Sequence, residues 1–117
     1  TGPPGKVPST IRLAVRKRDK KVVGIIDLRH NLNNPVLSLW GGHIGYSVRP
    51  SERRKGYAKE MLRLMLEEAR KRGLEKVMIS CSTENEASER TILANRGIYE
   101  KTVSVEDEQI KRYWITL

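Results

Sequence analysis

The chain has 117 residues, 38% of them apolar, with no phenylalanine and one cysteine; it is expected to form one domain with a modest core, and an internal disulfide or cysteine-based zinc cluster is excluded. Lys and Arg number 23 against 14 Asp and Glu, a formal charge of +9, which suits a polyanion such as nucleic acid or a phosphate-bearing cofactor. No apolar run approaches the roughly 18 residues of a membrane span and no signal-peptide pattern opens the sequence, so a cytoplasmic protein that enters no membrane is expected.

In chain order, residues 1–9 carry Gly2, Pro3, Pro4, Gly5 and Pro8, which bar a helix or central strand; they read as a linker, a tag remnant or a loop. The remainder, 10–117, reads as a single domain without internal repeats. Ile11, Leu13 and Val15 alternate with Thr10, Arg12 and Ala14, a short strand that turns at Lys17-Arg18-Asp19-Lys20. Residues 22–28 are apolar on both faces, as expected of a strand covered on both sides, and pair with the first as a hairpin. Residues 29–40, with Asn31, Asn33, Asn34 and Pro35, read as a loop that borders an acceptor site or is a plain connection.

A strand follows in which Ile44, Tyr46 and Val48 share one face and His43, Gly45 and Ser47 the other, ending at Arg49 because Pro50 lacks a backbone donor. The apolar positions Ala58, Met61, Leu62, Met65, Leu66 and Ala69 have helical spacing, so a helix spans about 56–72 and stops at Gly73. Residues 77–81 form the next strand, reached by a parallel crossover. Thr83-Glu84-Asn85-Glu86 matches a capping box, which starts a second helix near Asn85 or Glu86 that runs to about Asn95. Residues 98–105 and 109–117 make a closing pair of strands.

The stretch between the third strand and the first helix carries the chemistry. Arg53, Arg54 and Lys55 precede Gly56, Tyr57, Ala58 and Lys59. A helix N-terminus with unsatisfied N–H groups favours an anion; Gly56 lets backbone approach it, and Ala58 keeps the first turn slim. Neither a Walker nor a Rossmann glycine pattern is present. The positive charge is otherwise spread over helices and loops without interleaved aromatics. Solvated faces plus a cofactor mouth account for it better than a nucleic-acid surface.

Arg53-x-x-Gly56-x-Ala58 after Tyr46-Ser47-Val48-Arg49-Pro50 resembles the acyl-CoA-binding signature of the GNAT superfamily of N-acetyltransferases, and Gly41 through Ala58 resembles one branch of predicted bacterial members. The resemblance implies an α/β (α+β) fold with a mixed central sheet of about six strands and two main helices. It covers the chain from the superfamily's second strand onward; the superfamily's first strand and two early helices have no counterpart here. Either the chain is a truncated form or a partner subunit covers the face so exposed, and a homodimer is expected.

The resemblance also implies acetyl-CoA as co-substrate, no metal, and direct transfer of the acetyl group to a primary amine, on a small molecule or peptide, in a ternary complex. It places the backbone of Tyr46, Ser47 and Val48 on the pantetheine arm and the amides of residues 54–59 on the pyrophosphate. Arg53 adds charge or loop support. Asn85-x-x-Ser88 matches the family's Asn-x-x-Ala/Ser, whose Asn meets the pantetheine; capping of the second helix is compatible with this role. Many relatives carry Glu where His43 stands, so His43 is the expected base, with His30 and Asp27 as other candidates. The usual thiolate acid is a tyrosine at the position of Ile92, leaving Tyr46, Tyr57, Tyr99 or water to replace it. Arg96 stands where the branch carries a glycine, which strains the helix end. Cys81 reads as a small buried strand residue rather than an acyl carrier. A module that binds acyl-CoA without catalysis is the alternative from another class, and a basic nucleic-acid-binding domain is a third.

Overall fold

The computed structural model describes residues 7–117, so most of the expected linker lies outside the described residues. Its last residue, Ser9, already belongs to a strand. The element order is β1 (Ser9–Val15), β2 (Val22–Arg29), β3 (Ile44–Val48), α1 (Tyr57–Lys71), β4 (Lys76–Ser82), α2 (Glu86–Ala94), β5 (Ile98–Val105) and β6 (Glu108–Thr116), with one π-helical turn at Leu37–Gly41 and a 3-10 turn at Pro50–Glu52. The expected six strands and two helices are therefore present. Among the described residues no helix is long and apolar enough to cross a membrane.

The strands divide into two antiparallel sheets, β1-β2-β3 and β4-β6-β5, rather than one continuous ladder. The sheets meet at the start of β3, where His43 N–H donates to the Met78 carbonyl at 2.7 Å and Met78 N–H donates to His43 Nδ1 at 2.9 Å. Gly42 turns the chain into this junction with φ 72° and ψ −175°, a backbone region open essentially to glycine alone. Beyond the junction β3 and β4 are not ladder partners, which leaves a gap between the sheets.

One face of both sheets packs on α1 and α2. Met61, Leu62, Met65 and Ala69 of α1 meet Ile26, Leu28, Ile44 and Val48 from the first sheet and Val77, Ile79, Cys81, Tyr113 and Ile115 from the second. The period read from the sequence thus gave the buried stripe of α1. Its C-terminus closes with Leu74 N–H on Ala69 O and Gly73 N–H on Arg70 O, a Schellman arrangement that turns Leu74 back onto the core.

The opposite face of the first sheet corrects the expectation that β2 is covered on both sides. Ile11, Leu13 and Val15 stand opposite Asp27, Ile25 and Val22 in the β1–β2 register, and Ile11, Leu13, Val15 and Ile25 are 44–59% exposed. The apolar stripe of β1 points away from α1. Its polar stripe faces the helix, where Arg12 reaches Glu68 at 2.7 Å and Thr10 Oγ1 bonds His30 Nε2 at 2.7 Å.

Candidate functional site

A groove of about 710 Å³ opens where the two sheets part, walled by β3, the loop after it, the first turn of α1 and one side of α2 along its length. Every cofactor residue expected from the sequence lines it except Lys55: Tyr46, Ser47, Val48, Arg53, Arg54, Gly56, Tyr57, Ala58, Lys59, Asn85 and Ser88. The sequence reading missed Glu52, Arg90 and Thr91, which also line it. Arg90 and Thr91 lie within three residues of the expected Ser88, so helical spacing alone could have found them.

The loop is shaped by two left-handed residues, Arg54 with φ 63° and Gly56 with φ 84°. A Cβ on Gly56 would meet nothing within 4 Å. The glycine is therefore required by backbone conformation and not by packing within the chain, and the space beside it is open. No side chain caps α1, and among the described residues the backbone amides of residues 54–59 have no partner within the protein. Consecutive free amides at a helix start make a concave donor surface suited to a phosphate.

The three cations before Gly56 have three different fates. Arg53 Nε folds back onto the Val48 carbonyl at 3.2 Å, fixing the end of β3. Lys55 Nζ pairs with Glu52 at 3.0 Å, which takes it out of the groove. Arg54 has no ion pair among the described residues and is the loop cation left for a ligand.

Across the groove, Asn85 rather than Thr83 is the N-cap of α2, a correction to the capping-box reading. Asn85 Oδ1 accepts from Ser88 N–H at 3.1 Å, while Thr83 N–H is used by the Gln109 carbonyl. The capping oxygen is occupied, and the amide nitrogen of Asn85 has no partner among the described residues. Ser88 Oγ lies 2.7 Å from the Tyr46 hydroxyl. Burial pushes the Tyr46 phenol above its ordinary value.

Of the other tyrosines, Tyr57 also lines the groove, whereas Tyr99 does not. Tyr57 accepts from Arg16 Nη1 at 3.3 Å beside the loop, and Tyr99, half exposed, bonds Thr102 outside the groove. Ile92 is fully buried in the core. Arg96 carries φ 69° at the end of α2, the strain expected of a side chain at that position. Cys81 is buried, and burial pushes its thiol up, against a role as acyl carrier.

His43 does not line the groove. The ring is 6% exposed, lies edge-on to Trp114 at 6.4 Å and accepts the Met78 amide on Nδ1, so its neutral form carries the proton on Nε2. His30 is held by Thr10, and Asp27 pairs with Arg29 at 2.8 Å.

Burial, and then the Arg29 charge, lower the His43 pKa from 6.5. The unfolded chain takes up this proton first, so the stabilisation is complete above pH 6.5 and is lost as pH falls below it. His43→Asn keeps an acceptor for Met78 but cannot titrate. It is expected to cost about 1–2 kcal/mol at pH 7.5 and to flatten the pH dependence of the denaturation midpoint between about pH 7 and 5. An unchanged pH slope would show that His43 titrates alike in both states.

A family model described as an acetyltransferase (GNAT) domain matches residues 5–96. No curated protein sequence matches the chain. Among solved structures, the fold is similar to a point mutant of spermidine N-acetyltransferase from Vibrio cholerae, with TM-score 0.76 and 16% identity over 92% of this chain and 65% of that one. It is similar to ribosomal-protein-S5-alanine acetyltransferase from Vibrio fischeri, with TM-score 0.77 and 17% identity over 92% and 61%. An aminoglycoside acetyltransferase in complex with coenzyme A and kanamycin gives TM-score 0.74 and 16% identity over 92% and 66%. The chain thus spans somewhat less than two thirds of the first two.

Proposed function

The chain belongs to the GNAT acetyltransferase family, and we propose that it transfers an acetyl group from acetyl-CoA directly to a primary amine in a ternary complex. The observation that carries this reading is the run of free backbone amides at residues 54–59, opened into the groove by the left-handed Gly56. Nothing lies within 4 Å of a Cβ placed on Gly56, which leaves room for an anion beside the helix start, whose dipole favours negative charge.

In this reading the amides and Arg54 hold the pyrophosphate. The backbone of Tyr46, Ser47 and Val48 pairs with the pantetheine arm along the gap between β3 and β4, and Asn85 reaches the arm through its free amide nitrogen. Acetyl-CoA supplies an activated thioester carbonyl. A backbone N–H near Val48 polarises that carbonyl as charge develops on its oxygen.

The departing sulfur needs a proton. Tyr46, whose phenol stays protonated at neutral pH and meets Ser88 in the groove, is the assigned donor. Among the described groove residues neither a histidine nor an unpaired carboxylate is present, so the amine loses its proton to water. His43 serves to hold the two sheets together.

The solved neighbours named for spermidine and aminoglycosides support an amine acceptor, and the exposed apolar face of β1 and β2 supports a homodimer. A cytoplasmic location accords with this chemistry. Isothermal titration of acetyl-CoA, a screen of amines by thiol release, and sedimentation of the same sample test the reading together. Micromolar binding, turnover of at least one amine and the mass of a dimer are expected. Binding without turnover across the panel would replace the enzyme by an acyl-CoA-binding module, and no binding would remove both.

A further inference from the structure

The groove that is built for an anion also holds a buried carboxylate. Glu52 is 3% exposed, lines the groove and directly precedes the loop. Its Oε1 meets Arg16 Nη1 at 2.5 Å and Lys55 Nζ at 3.0 Å, and its Oε2 meets Lys21 Nζ at 3.0 Å and Ser51 Oγ at 3.2 Å. Arg16 is gripped from its other side by Asp19, at 3.0 Å through Nε and 2.6 Å through Nη2. It also donates to the Tyr57 hydroxyl at 3.3 Å. The cluster joins the β1–β2 turn, the loop and the first residue of α1.

Stability alone is a poor reason for this arrangement. Taking the Glu52 carboxylate and the Arg16 guanidinium out of water costs several kcal/mol, and well-packed apolar side chains often hold segments together as firmly. What an apolar side chain cannot do is choose which cations reach the groove. Glu52 keeps Lys55, Arg16 and Lys21 turned onto itself, and leaves the backbone amides and Arg54 facing outward. A free Lys55 would compete with the amides for the same anion from a long, mobile side chain.

We propose that Glu52 is the positioning residue of the cofactor loop, fixing the backbone of residues 54–57 through Lys55, Arg16 and Lys21. The inference rests on the acyl-CoA reading of the groove. Lys55 and Lys21 act through Glu52 and not on the ligand, and Lys21 does not line the groove at all.

The test is isothermal titration of acetyl-CoA into the parent chain and into Glu52→Gln, Glu52→Asp, Lys55→Met, Lys21→Met and the double variant Glu52→Gln/Lys55→Met. Circular dichroism establishes that each is folded at the titration temperature. Glu52→Gln is expected to weaken binding about tenfold or more, and Glu52→Asp to recover part of that loss, because a loop displaced by a fraction of an ångström no longer presents its amides together. Lys55→Met should weaken binding about threefold in the parent and not further in the Glu52→Gln background, the non-additivity of groups that act as one unit. Lys21→Met should weaken binding about twofold although it is remote from the groove.

A folded Glu52→Gln protein that binds within about twofold of the parent would overturn the proposal, as would a Lys55→Met effect of equal size in both backgrounds. If Glu52→Gln does not fold, Lys21→Met decides: unchanged affinity overturns the positioning role and weakened affinity supports it. Failure of the parent chain to bind acetyl-CoA overturns the acyl-CoA reading and this inference with it. Binding that is indifferent to Glu52 overturns this inference alone.

Discussion

Replacing Gly56 with glutamate is expected to remove measurable acetyl-CoA binding from a chain that remains folded. The backbone cost is limited: a side chain at φ 84° carries about 1–2 kcal/mol of left-handed strain, and a Cβ there touches nothing within 4 Å. The electrostatic cost is larger. The new carboxylate stands at the mouth of the free amides and can accept from them itself, in competition with the pyrophosphate. Two like charges about 4 Å apart near a protein surface repel by roughly 4 kcal/mol, which is about a thousandfold in affinity. Gly56→Ala separates the two contributions, since it carries the strain without the charge and should weaken binding only several-fold. Equal loss in both variants would assign the effect to loop geometry. Retained binding in Gly56→Glu would place the ligand elsewhere, and salt-sensitive DNA binding that survives the substitution would favour a nucleic-acid partner.

The parts of this site that were legible in the sequence are those fixed by local pattern. The helical spacing from Ala58 to Ala69, the glycine before it and the proline after β3 are short-range signals, and they set the strand, loop and helix start. The parts that were not legible depend on which surfaces meet. Alternation along β1 shows that Ile11, Leu13 and Val15 share a face, but period two does not say whether that face is the covered one. Lys55 looked like a phosphate cation because it adjoins Gly56. Its pairing with Glu52, three residues earlier, was available as a spacing. The rest of that cluster was not, because Arg16 lies 36 residues from Glu52. His43 shows the same limit: its place before Ile44 suggested a base, whereas its bond partner, Met78, is 35 residues away.

Gly42→Ala is expected to be among the most destabilising single substitutions in the chain, although it adds one methyl group. Gly42 has φ 72° and ψ −175°, a region that costs other residues on the order of 1–3 kcal/mol. The added Cβ would also lie 2.6 Å from the Met78 carbonyl oxygen and 3.2 Å from its carbon. Both are backbone atoms of β4 and cannot rotate aside. That oxygen accepts the His43 N–H, so relief of the clash lengthens the hydrogen bond that joins the two sheets and strains the return bond from Met78 to His43 Nδ1. Conformational strain and the disturbed junction together should exceed about 3 kcal/mol. For a domain of this size that is a fall of roughly 10 °C in the thermal midpoint. Gly41, next to it, is the control: the nearest atom to its Cβ is a terminal methyl carbon of Leu37 at 2.9 Å, which can move, and Gly41→Ala should cost no more than about 1 kcal/mol. Because the gap between the sheets begins at this junction, the folded fraction of Gly42→Ala should also bind acetyl-CoA more weakly than Gly41→Ala does. Equal midpoints for the two variants would mean that β3 and β4 are held together by the core beneath them rather than by the backbone bond at Gly42 and His43.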